Sequence, residues 1–154
     1  MNDKRILVIG CGVAGLTSGI TLQEDGYEVE IAAESIPPYT KSDVATAYWY
    51  PFRVYPPERV LPWASVTYEK YMDLSKIPGI GVGIFNFIQL FDREVEDPFW
   101  KPVVREFRRT REEELLPGYI DGYVAKVARI ETPVYMKYLF ERFQNSGGVI
   151  NKLD

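Results

Sequence analysis

Ile6-Leu7-Val8-Ile9 runs directly into Gly10-Cys11-Gly12-Val13-Ala14-Gly15, and an acidic residue, Glu34, follows 19 positions after the last glycine. An apolar run, a glycine-rich turn and a distant acid in this order describe a βαβ unit that binds a dinucleotide. The apolar run predicts a parallel strand buried on both faces. Gly10 permits the tight turn out of that strand, Gly12 lets a pyrophosphate approach the backbone, and Gly15 lets the helix lie close to the sheet. The helix N-terminus then offers free N–H groups and the positive end of the helix dipole. Glu34 can accept hydrogen bonds from a ribose.

A GxGxxG turn alone is a weak signal, and an incidental glycine turn in an α/β protein is the plain alternative. The flanks favour the dinucleotide site. Val13 to Asp25 has helical spacing, with Val13, Gly15, Leu16, Gly19, Ile20 and Leu22 on one side and Thr17, Ser18, Thr21, Glu24 and Asp25 on the other. Gly26 is placed to end the helix. Tyr27 to Ala33 then reads as a second strand. Glu34 repels a ribose 2′-phosphate, and Ser35-Ile36 supplies no arginine to offset it, so NADP is disfavoured. NAD and FAD both remain open on this motif.

The rest of the composition removes other functions. The chain has 154 residues and a net charge of −4, which leaves no electrostatic footprint for nucleic acid. No apolar run is long enough to cross a membrane. Met-Asn-Asp-Lys-Arg is followed at once by the first strand, which leaves no room for a signal peptide. The single cysteine excludes an internal disulfide and fits a reducing, intracellular compartment, cytoplasmic or peroxisomal. The absence of histidine removes serine–histidine and cysteine–histidine catalysis, imidazole metal sites and a flavin attached through histidine; no metal site is expected. Cys11 reads as a small packing residue within the turn, with a redox role as the minor alternative.

Further along, Pro62 is placed to start a helix carrying Val66, Tyr68, Tyr71, Met72 and Leu74 that stops before Pro78. Gly83 to Phe91 reads as a strand interrupted by Asn86 and Gln89. Arg105 to Glu114 holds four Arg and four Glu and reads as a solvated face. Tyr123 to Ile130 is another strand. Thr132-Pro133 predicts a helix start with Thr132 as N-cap, and that helix ends at Gly147-Gly148. Val149 to Leu153 opens a further strand.

These motifs together resemble the FAD-dependent D-amino-acid oxidase family. The residues that carry the likeness are Val8 to Leu16, Thr40-Lys41-Ser42-Asp43-Val44-Ala45, Trp49-Tyr50-Pro51, Gly83-Ile84-Phe85, Leu90-Phe91, Asp97 to Lys101, Pro117-Gly118-Tyr119 and the Thr132-Pro133-Val134-Tyr135 helix start. It spans essentially the whole chain and the first half of a typical family member. The resemblance implies that Gly10, Cys11, Gly12, Val13, Ala14 and Gly15 hold the FAD pyrophosphate. It places Glu34 and Ser35 at the adenosine ribose, and Thr40, Lys41 and Ser42 in a hydroxyl-rich loop at the phosphate and ribityl region. Thr46, Ala47 and Tyr48 match the segment beside the flavin ring, and Tyr50 falls near the substrate pocket. The plain reading of Tyr48, Trp49 and Tyr50 is aromatic core packing. One departure is Thr46-Ala47, where the family usually has alanine–glycine.

The expected fold is α/β: a Rossmann-like, three-layer FAD-binding fold with part of an inserted, mostly antiparallel sheet domain. The expected organisation is 1–80 as FAD-binding unit and cofactor loops, 81–130 as part of a substrate-domain sheet, and 131–154 as the return to the FAD-binding domain. By resemblance the parent enzyme oxidatively deaminates an amino acid by hydride transfer to FAD, with O2 returning the flavin to its oxidised state and giving peroxide. The family's substrate-anchoring arginine and pocket tyrosine match nothing in this chain, so no catalytic residue is assigned. The chain reads as the N-terminal part of an enzyme whose partners are an amino-acid substrate and the remainder of the enzyme or a complementing chain. The alternative is a small domain that dimerises over its exposed sheet edge. Two functional rivals stay open: an NAD-dependent dehydrogenase fragment and a non-catalytic dinucleotide-binding subunit.

Overall fold

The computed structural model describes residues 5–153. Met1 to Lys4, whose shortness argued against a leader, and Asp154 lie outside the described residues. The elements in chain order are β1 (Arg5–Ile9), α1 (Val13–Glu24), β2 (Glu28–Ala33), β3 (Ala47–Tyr48), α2 (Pro57–Leu74), β4 (Val82–Phe91), β5 (Phe107–Arg109), β6 (Asp121–Ile130), α3 (Thr132–Asn145) and β7 (Val149–Lys152). The chain divides into two compact units. Of the described residues, one comprises 5–47, 79–81 and 131–153; the other comprises 48–78 and 82–130.

The first unit is a parallel sheet in the order β1-β2-β7. The helices α1 and α3 cover one face. Leu16, Gly19 and Ile20 of α1 are buried, and a Cβ added at Gly19 would lie 2.8 Å from the ring of Phe143 on α3. Only a residue without a side chain lets these helices approach so closely. Val29 and Ile31 of β2 fill the space beneath them. The expectation that β1 is buried on both faces does not hold for the described residues. Leu7 is 59% and Ile9 73% exposed, because alternate residues of a strand point to opposite faces and both helices lie on one. The described residues thus supply the sheet and one helical layer. Val13, expected on the apolar side of α1, is exposed in the first turn.

The start of α3 also differs from expectation. Its N-cap is Glu131, with Thr132 and Pro133 as the first two helical residues. The Thr132 hydroxyl bonds outward to a loop carbonyl instead of capping its own helix. Proline at the second position still suits a helix start, because its missing N–H has no intrahelical acceptor there.

The second unit is a sheet in the order β3-β6-β4, with β5 also pairing with β6. The strands β4 and β6 pair antiparallel over ten residues, from Val82 opposite Ile130 to Phe91 opposite Asp121. Residues 48–78 pack within this unit, whereas the sequence grouped them with the cofactor-binding segment. The aromatic side chains explain why. Trp49 meets Tyr68 of α2 edge-on at 5.1 Å and Trp100 at 5.8 Å, and Trp100 meets Tyr123 of β6 at 5.6 Å. Edge-to-face pairs of this kind add to the large apolar burial of each ring. The polar tips are satisfied too: Trp49 Nε1 donates to Ala64 O at 3.0 Å, and Tyr68 Oη donates to Lys126 O at 3.1 Å.

The helix α2 begins at Pro57, so Pro62 lies inside it and does not start it. Pro57 presets the first turn, and the bond Pro62 forgoes is outweighed by burial of Val60, Ala64, Tyr68 and Leu74. The charged stretch 105–114 forms β5 and a short 3-10 turn. Its arginines are exposed and paired with half-buried carboxylates, as Arg108 with Glu114 at 2.6 Å and Arg109 with Asp121 at 3.0 Å. Pairs in such exposed positions contribute little to stability.

Candidate functional site

In the first unit, β1 delivers the chain into the glycine turn and β2 ends beside it, since Gly10 N–H donates to Ala32 O at 2.8 Å. Gly10 has φ of +102°, a region that only glycine adopts freely. A Cβ at Gly15 would come 1.9 Å from the Gly10 carbonyl oxygen, so the helix presses directly on the turn. Gly12 is different: its Cβ would meet only Ser42 Oγ, at 3.0 Å. The missing side chain therefore leaves a cradle bounded by the α1 N-terminus on one side and the Ser42 hydroxyl on the other.

Val13 N–H donates to Ser42 Oγ at 3.0 Å. The hydroxyl's own hydrogen is left to donate elsewhere. The N–H groups of Ala14 and Gly15 lie in the first helical turn, where no intrahelical acceptor exists. N–H groups without an intrahelical acceptor and a hydroxyl thus border the cradle, which is the chemistry a pyrophosphate requires. Cys11 is only 2% exposed, and burial together with the nearby Asp43 carboxylate pushes its thiol up to about 11. A protonated, enclosed thiol is a packing group, not a nucleophile.

The loop carrying Thr40, Lys41 and Ser42 is closed by Asp43, whose Oδ2 accepts from Thr40 N–H at 2.9 Å and from Thr40 Oγ1 at 2.5 Å. Thr40 and Asp43 are buried, while Lys41 is exposed and Ser42 half-buried. Glu34 and Ser35 are exposed immediately after β2, and Thr46 and half-buried Ala47 close this unit's share of the expected site. The structure therefore brings Gly10 to Gly15 and Ser42 together around the cradle, with Glu34 and Ser35 at the end of the adjacent strand.

Tyr48 and Tyr50 belong to the second unit. The plain packing reading suits Trp49, which is buried, but not Tyr48, which is 42% exposed. Tyr50 Oη donates to Gln89 Oε1 at 2.8 Å and lies 3.4 Å from Tyr123 Oη. Burial, and the hydrogen bond with Tyr50, raise the Tyr123 phenol well above its usual range. Tyr48, Tyr50, Phe52, Phe87, Gln89 and Tyr119 line an open cavity of about 530 Å³ in this unit. Sequence reasoning missed Gln89, Tyr123 and Asp43 as members of these arrangements. A signal for Gln89 was present, as a polar residue breaking an apolar strand.

Residues 5–152 match the family model described as FAD dependent oxidoreductase. The chain is 45% identical over 149 residues to a D-amino-acid oxidase of Rubrobacter xylanophilus, covering 95% of this chain and 45% of that protein. It is 40% identical to a D-amino-acid oxidase of Dictyostelium discoideum, over 96% of this chain and 44% of the other. A human D-aspartate oxidase matches at 30% identity, over 96% and 47%. The chain thus spans less than half the length of these relatives. Among solved structures, an L-amino acid deaminase from Proteus vulgaris superposes with a TM-score of 0.74 at 12% identity, over 99% of this chain and 40% of that one. An L-alpha-glycerophosphate oxidase from Mycoplasma pneumoniae, with FAD bound, also gives 0.74 at 12% identity, over 99% and 45%. These structures show a shared Rossmann-like fold.

Proposed function

The chain belongs to the FAD dependent oxidoreductase family, and from that premise we propose that it is the cofactor-binding portion of an oxidase that deaminates a D-amino acid. The observation that supports this best is the Gly12 cradle, a space that a side chain would fill, bordered by the α1 N-terminus and by Ser42 Oγ, which the Val13 N–H holds in place. Bound FAD would supply the redox chemistry of the deamination.

The protein's part is binding and orientation. The backbone of Gly10, Cys11, Gly12, Val13, Ala14 and Gly15 holds the pyrophosphate against the helix dipole, with Ser42 Oγ as a further donor. Glu34 and Ser35 take the adenosine ribose. Thr40 and Lys41 border the phosphate and ribityl region, Thr46, Ala47 and Tyr48 run beside the ring, and Tyr50 lies toward the substrate. Leu7 and Ile9 present an apolar face that the remainder of the enzyme, or a complementing chain, covers. No described helix is long and apolar enough to cross a membrane. A single cysteine suits a reducing intracellular compartment.

The reading is tested by titrating the protein with FAD and NAD and following flavin absorbance and fluorescence. Saturable binding of FAD in preference to NAD, and peroxide release with D- but not L-amino acids from the enzyme that carries this segment, are the expected results. Preference for NAD refutes the cofactor assignment, and turnover of L-amino acids alone refutes the substrate assignment.

A further inference from the structure

Asp43 is 5% exposed. A buried carboxylate is retained only where bonds hold it. Its Oδ2 takes both the N–H and the hydroxyl of Thr40, and its own N–H donates to Thr40 O at 3.1 Å. The turn 40–43 is therefore tied at both ends, with Ser42 between the ties. A second tether comes from α3. Thr132 Oγ1 donates to Ala45 O at 2.6 Å and lies 3.2 Å from Asp43 O. This is the hydroxyl whose residue pattern predicted a helix cap and which the fold uses elsewhere. Asp43 Oδ1 is buried and has no hydrogen-bond partner among the described residues. A half-satisfied buried carboxylate is poor design for stability, and its negative charge is the wrong sign for touching phosphate.

We propose that Asp43 and Thr132 are positioning residues for the phosphate-binding turn. They lock the 40–45 loop so that Ser42 Oγ stays on the first N–H of α1, and through Ser42 they set the affinity for FAD. The inference rests on the placement of Ser42 at the phosphate cradle. It explains why a hydroxyl on α3 and a carboxylate inside the loop converge on one short segment. Without them the loop is free to lift Ser42 from Val13, and the cradle loses one wall.

The test is a double-mutant cycle on the holoprotein stripped of FAD and titrated again, with melting of the apoprotein recorded alongside. Ser42→Ala, Asp43→Ala and Thr132→Val should each weaken FAD binding by about tenfold, the worth of one good hydrogen bond. Asp43→Asn should stay within about twofold, since its amide oxygen can accept both Thr40 bonds. The deciding variant is Ser42→Ala/Asp43→Ala. If Asp43 acts through Ser42, it binds FAD no more weakly than Ser42→Ala alone. Additive losses overturn the inference and reduce Asp43 to general stability, which lowers apoprotein melting in both backgrounds. Unchanged affinity in Asp43→Ala also overturns it. Wild-type affinity in Ser42→Ala removes the placement of Ser42 itself, a distinct outcome. Should Asp43→Ala fail to fold by circular dichroism, the Ser42→Ala/Thr132→Val cycle carries the same test.

Discussion

Gly12→Val should abolish tight FAD binding and leave the chain folded. An ideal Cβ at Gly12 meets nothing except Ser42 Oγ, at 3.0 Å. That atom is the end of a small side chain, so it can yield by a few tenths of an ångström without moving backbone. The two γ-methyl groups of valine reach further, into the cradle. They displace Ser42 from Val13 N–H and exclude the pyrophosphate from the α1 N-terminus. Losing two charge-assisted phosphate contacts at about 1.5–3 kcal/mol each removes about 3–6 kcal/mol, or at least a hundredfold in affinity. Gly15→Ala provides the contrast. Its Cβ would sit 1.9 Å from a backbone carbonyl, so this smaller substitution should damage the fold itself. The assay pairs far-UV circular dichroism and thermal melting with an FAD titration. If Gly12→Val is folded and binds FAD within about threefold of the parent, the cradle does not hold the pyrophosphate. If Gly15→Ala melts like the parent, the packing argument fails.

Glu34→Ala should weaken FAD binding by about tenfold, as expected for loss of one charge-assisted bond to a ribose hydroxyl; unchanged affinity on titration leaves Glu34 an ordinary strand-end charge. Cys11 is raised from 9.0 to about 11 in the folded protein, so its alkylation by iodoacetamide should climb with a midpoint near pH 11, and a midpoint near 9 contradicts the enclosed thiol. By the same linkage the folded form holds this proton more tightly, so the contribution of Cys11 to stability is present below pH 9 and is lost as pH rises from 9.0 to about 11. A polypeptide of these 154 residues, supplied with FAD and a panel of D- and L-amino acids, should release no peroxide above background, because one face of its sheet is uncovered and substrate orientation accounts for orders of magnitude in rate. Saturable turnover by this polypeptide alone refutes that expectation.

The glycine turn was legible because each glycine answers a local geometric demand, and local demands leave local patterns. Gly10, Gly15 and Gly26 do in the structure what their spacing implied. The strands at 83–91 and 123–130 were legible for the same reason, through their apolar runs. What could not be read was the partner of a polar side chain. Thr132 has the residue type and neighbour of a helix cap, yet a loop almost ninety positions earlier competes for its hydroxyl and wins. Asp43 looks like any loop acid until the fold shows its carboxylate turned back on Thr40. Pro62 was read as a helix start because propensity cannot see that Pro57 already presets the first turn and that Val60 and Ala64, on either side of Pro62, are buried. The exposure of Leu7 and Ile9 is the converse case, since an apolar run marks what a strand is suited to bury and says nothing of whether these residues bury it.

The first unit is assembled from both ends of the chain, and this shapes how it can fold. Its sheet pairs Glu30 with Val149, 119 positions apart, so β7 cannot join until residue 149 has left the ribosome. Closing so long a loop is entropically costly and slow. The intervening unit shortens it. Trp49 N–H donates to Ala128 O at 2.8 Å, which fixes the two ends of that unit beside each other once it has folded. A pre-formed insert of this kind turns a long flexible closure into a short one. The described strands of the inserted sheet are all synthesised by Ile130, whereas the dinucleotide-binding sheet lacks β7 until residues 149–152 follow.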